Sequence, residues 1–155
     1  MTQIGSKLLG FQLWAALPAA EENAPAVSTC LAPSGVPQEG PLRVLLGRHG
    51  AATSVIPAPA SMNTRAVRLA DGERWRHVPP AGHTVAWVAV FDESGSAVDF
   101  VAHGETAFVL DSAVKHPHEL VMGRWSVHTS AAALAQGEAE IERIGLRLRT
   151  EGRLR

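Results

Sequence analysis

The sequence predicts a mostly β fold that ends in a single α-helix. Three observations carry this expectation. Short segments rich in β-branched and aromatic residues recur between turn signals spaced about 8–12 residues apart, the pattern of a sandwich or barrel. The chain has 14 Gly and 10 Pro among its 155 residues, enough to punctuate many short elements. From Ser130 onward the character changes: Leu134, Ile141 and Leu148 recur seven apart among good helix formers, with Ile144 beside Ile141 and Leu148 in one apolar stripe.

Taken in order, residues 8–17 read as a first strand stopped by Pro18. The same stretch imitates a secretory signal, with Lys7 before an apolar run and Pro18-Ala19-Ala20 at its end. Gly10 and Gln12 interrupt that run, so the buried strand is the simpler reading. Residues 18–41 form a Pro-rich arm, broken by Pro18, Pro25, Pro33, Pro37 and Pro41. Leu42–Gly47 is a strand, and Arg48-His49-Gly50 a turn. Asn63–Leu69 alternates and then meets Asp71-Gly72, a hairpin signal. Arg74–Val78 follows, ended by Pro79-Pro80. His83–Phe91 reads as one continuous strand, closed by a turn at Glu93–Ser96. Ala97–Val101 and Thr106–Leu110 are strands separated by His103-Gly104-Glu105, and Leu120–Gly123 completes the series. The helix spans 130–150 with Ser130 as N-cap, and Gly137 and Gly145 are places where it would kink or divide.

Composition narrows the function. A net charge of -1 lacks the basic excess of a nucleic-acid binder. No apolar run approaches the roughly 20 residues of a membrane span. A single cysteine, Cys30, gives neither an internal disulfide framework nor a Cys-rich zinc site, and a cytoplasmic location is expected. There is no G-x-S-x-G elbow, no Walker A motif and no dinucleotide fingerprint. Cys30 would be a nucleophile only beside a base, and in the Pro-rich arm a solvent-facing or partly packed thiol is the simpler reading. The Arg147, Arg149, Arg153 and Arg155 run is balanced by nearby Glu and reads as a solvated face.

Gly10-Phe11-Gln12-Leu13-Trp14 followed by Leu17-Pro18-Ala19 resembles the opening of the second half of pirins, which are bicupins. The order that follows is similar as well: a Pro-rich arm, the strand at Val44–Gly47, Ala70-Asp71-Gly72-Glu73, and Pro80-Ala81-Gly82-His83. Gly123–Ser130, leading into the helix, is similar to a subset of pirin-like proteins. The likeness covers roughly residues 8–150. It implies a single cupin-like (jelly-roll) β-barrel over residues 1–155 with a C-terminal helix. The metal of a pirin belongs to its first barrel, which has no counterpart here. The resemblance therefore implies a metal-free module that binds a small ligand or a protein.

The alternative is a metal-dependent dioxygenase of the quercetinase type. Alternate strand residues point to one face, so cupin ligands can converge on an ion. Overlaying the metal-binding strand of a pirin on residues 77–89 places His77 at the first His position, Pro79 at the second and His83 at the carboxylate. His118 from His116-Pro117-His118 would complete a reduced site for Fe(II) or another transition metal. The simpler reading makes these His surface or hydrogen-bonded core residues, with no cofactor. His103-Gly104-Glu105 imitates a ligand pair but sits at a turn. Trp75 and Trp87 could line a pocket for a flat aromatic ligand, although core packing explains most of the four Trp. A lone second barrel would leave the face it buries in a bicupin exposed, so a homodimer is expected to cover it.

Overall fold

The computed structural model describes residues 13–58, 62–86, 90–91 and 96–154. These fall into two compact units, one of Pro25–Pro117 and one joining the residues up to Ala24 with those from His118 onward.

The first unit is all β apart from a 3-10 turn at Pro33–Gly35. Its strands are β1 (Gln38–Glu39), β2 (Leu42–Leu46), β3 (Arg48–His49), β4 (Ala52–Thr53), β5 (Met62–Leu69), β6 (Arg74–His77), β7 (His83–Ala86), β8 (Val90–Phe91), β9 (Val98–Val101) and β10 (Thr106–Val114). Six of them form one sheet in the order β1-β2-β5-β10-β7-β8, antiparallel throughout. β3 with β4 and β6 with β9 form two further ladders.

Alternation decides which side chains face inward. On β5 the inward set is Asn63, Arg65, Val67 and Leu69, all buried. Val67 lies opposite Leu42 and Phe108, and Arg65 opposite Val44 and Leu110. The apolar part of this face is the core, with Trp75, Val98 and Phe100 of the β6–β9 ladder packed against it. Phe100 stacks on Phe108 at 4.8 Å between ring centres and on Trp75 at 5.5 Å. Towards Asn63 the same face becomes polar, through Arg65, Ser112 and His83.

Four expectations change here. Arg48-His49 is a strand, paired with Ala52–Thr53, and the turn begins only at Gly50. Asp71-Gly72 is a turn, with Gly72 at φ 73°, but not a hairpin. β5 already has β2 and β10 on its two edges, so the chain leaves the sheet and β6 pairs with β9. The segment 83–91 does not form one strand; it doubles back so that Val85 pairs with Phe91. Trp87 and most of the turn expected at Glu93–Ser96 lie outside the described residues. Leu13–Leu17 form no strand, and the rest of the expected first strand lies outside the described residues.

The second unit holds β11 (Val121–Met122), paired with β12 (Val127–His128), and α1 (Ala131–Thr150). Ser130 caps α1 by accepting a hydrogen bond from Ala133 N at 3.2 Å. Arg147 and Arg149 in the last turn complement the helix dipole. The helix runs unbroken through Gly137 and Gly145. At Gly137 a Cβ would strike the imidazole of His128, which accounts for the glycine. The N-terminal segment is tied to this unit by Glu22, whose carboxylate accepts from Thr129 N at 2.7 Å and Thr129 Oγ1 at 2.8 Å. His128 Nδ1 lies 3.3 Å from the same carboxylate.

Candidate ligand-binding site

A pocket of about 770 Å³ opens in the first unit where the inward face turns polar. Its apolar wall includes Ile56, Met62, Val78 and Pro79, and its polar wall Arg48, His49, Asn63, Arg65 and His83. Gly47 makes its rim possible. It sits at φ +71°, and a side chain there would collide with Asn63 Oδ1 and the Met62 carbonyl. Asn63 Oδ1 in turn accepts from Arg48 N at 2.8 Å, which holds the start of the β3–β4 hairpin over the pocket.

Arg65 is the deepest charged group, 2% exposed. One terminal nitrogen donates to the Arg48 carbonyl at 3.1 Å, and the other lies 3.5 Å from Ser112 Oγ. Its Nε meets no acceptor, and among the described residues no carboxylate comes within ion-pair distance of the guanidinium. Burial lowers its pKa, opposed by the more distant Asp111. Asp111 cannot reach it. Asp111 pairs with Thr64 across the sheet, and Thr64 Oγ1 donates to it at 2.6 Å on the face opposite Arg65.

Around this cation stand three neutral imidazoles. His77, fully buried and stacked on Trp75, has its pKa lowered to about 4 by burial, then by Arg65, His49 and His83. Neither of its ring nitrogens meets a partner among the described residues. His83 has its Nδ1 3.4 Å from Ser112 Oγ, and its pKa is lowered by burial and by Arg65 against an opposing bond to the Ser112 backbone. His49 is lowered by burial and Arg65, with Glu39 opposing.

Of the residues singled out from sequence, His77 and His83 thus share one cluster, and Trp75 lies beside His77 in the core. His118 lies in the other unit. Among the described residues, no three His, Cys, Asp or Glu side chains are placed to hold a metal ion. The guanidinium of Arg65 stands where a second cation would be repelled. This donor set does not fit a divalent metal. Sequence reasoning missed Arg65, His49, Asn63 and Ser112. The signal was present in the parity of β5, which puts Arg65 on the face set by Val67 and Leu69.

No family model and no curated protein matches this chain. Among solved structures it is similar to a quercetin 2,3-dioxygenase from Acinetobacter baumannii, with a TM-score of 0.62 and 18% identity. The fold is cupin-like. The likeness covers 82% of this chain and 53% of that one, so the chain spans about half the length of the structure it matches. At this identity the shared property is the fold, and chemistry must be argued from the site. Among the described residues of this cupin-like chain, no helix is long and apolar enough to cross a membrane.

Proposed function

We propose that this chain is a pirin-like cupin module that binds a small organic molecule without a metal. The observation that carries the reading is the pocket, about 770 Å³, apolar on one wall and closed at its deep end by Arg65 and neutral imidazoles. That size and mixed lining suit a drug-sized ligand. The pirin assignment is supported by the order of its motifs from Gly10-Phe11-Gln12-Leu13-Trp14 to Gly123–Ser130. In the helix-bearing unit Trp14, Met122 and Trp125 are exposed, which supports self-association into a homodimer.

The test is ligand-observed NMR with a set of small aromatic and aliphatic compounds on chelator-treated protein. Binding that survives chelation supports the reading. Binding that requires added Fe(II), together with oxygen uptake on a flavonol, would overturn it in favour of a quercetinase-type dioxygenase.

A further inference from the structure

We infer that the ligand is a small carboxylate, its charged end held by Arg65 and its apolar body against Ile56, Met62, Val78 and Pro79. This rests on the small-ligand reading above and adds the ligand's charge class.

The pocket wall carries two Arg and two His and no Asp or Glu among its described residues. The whole chain is nearly neutral, at -1, so the imbalance is local. A buried guanidinium that finds no carboxylate and only two hydrogen bonds among the described residues is costly to maintain for structure alone, because it loses its hydration. An arriving carboxylate supplies the missing charge and accepts the donors that remain, in the planar geometry that a guanidinium presents. His83 and His49 are neutral and can donate one ring N–H each to the same group. Arg48 on the wall is exposed, so the buried end offers one full positive charge, that of Arg65, which matches a monoanion better than a phosphate dianion. A metal or an amine is disfavoured there by like charge. The apolar wall fixes the other end of the molecule and excludes a bare inorganic anion as the natural occupant.

Calorimetry on the full chain at pH 7 tests this with matched acid–amide pairs: cinnamate and cinnamamide, hexanoate and hexanamide, 2-naphthoate and 2-naphthamide. The expected result is that the acids bind about 10- to 100-fold more tightly than their amides, the span of a charge-assisted hydrogen-bond pair. In Arg65→Met the contrast should vanish. His83→Gln should reduce it partly, and this variant keeps the test open if the Arg65 variant misfolds. The wild-type comparison needs no variant at all. Acids and amides binding equally would overturn the carboxylate assignment while leaving the small-ligand reading intact. Inorganic phosphate binding more tightly than every acid would overturn it as well. No binding by any compound would overturn both.

Discussion

Arg65 occupies a register position that its neighbours Val44 and Leu110 mark as apolar. Its place there at 2% exposure is an argument for function, since among the described residues no carboxylate pairs with it. Arg65→Met should keep the midpoint of thermal unfolding unchanged or raise it, because an apolar residue of similar length removes a desolvation cost. Measured by calorimetry beside ligand binding, the expected pattern is stability kept and carboxylate affinity lost. A large fall in stability would instead make Arg65 structural. His77 gives a second residue-scale prediction. Its pKa is lowered from 6.5 to about 4 by burial first, so the unfolded chain binds more protons between those values. Stability is therefore full above pH 6.5 and falls as the pH drops towards 4. The loss from this group is on the order of 3 kcal/mol. His49 and His83 are lowered too and add in the same direction. Urea unfolding at pH 7 and pH 5 should show about 2 kcal/mol of this loss, the part that falls between 6.5 and 5, and His77→Phe should flatten it. An equal slope in the variant would assign the pH dependence elsewhere.

At the scale of elements, α1 separates two kinds of glycine. Gly137→Ala should destabilise by about 1–3 kcal/mol despite the better helix propensity, because the new methyl strikes His128, whose Cε1 would lie 2.6 Å away. Gly145→Ala meets its nearest described atom only at 3.8 Å and should stabilise by up to about 1 kcal/mol. Chemical unfolding of the pair checks both signs. Ser130→Ala should cost about 1 kcal/mol by removing the cap on Ala133 N. The helix and its cap were legible in sequence because both are local signals. The long strands β5 and β10 were legible as well, β10 running four residues beyond its expected end at Leu110. The failures were non-local. Asp71-Gly72 carries a hairpin signal, yet both edges of β5 were already taken by strands distant in sequence. The uniform apolarity of 85–91 gave no mark of where the chain turns back. In the helix, Leu134, Ile144 and Leu148 of the expected stripe are half-buried, whereas Ile141 is exposed. The site was half legible for the same reason: His77 and His83 stand out by residue type. Arg65 stands out only once the inward parity of β5 is fixed by its partners.

At the scale of the molecule, the question is what covers the apolar surface of the helix-bearing unit. Trp125 is 61% exposed, Met122 72% and Leu146 64%. Such residues scattered singly need no explanation; the homodimer reading proposed above takes several in one small unit as a contact surface. A second copy of the chain is the occupant that the homodimer reading requires. Light scattering coupled to size exclusion at high protein concentration should then give a mass near twice 16.4 kDa. Trp125→Glu should shift the protein towards the single-chain mass without changing carboxylate binding, because Trp125 does not line the pocket. A charged side chain in a packed apolar contact is costly, so even one substitution should move the equilibrium strongly. A single-chain mass for the unmodified protein at every concentration would remove the dimer while leaving the ligand site standing, since every described residue of that site comes from one unit of one chain.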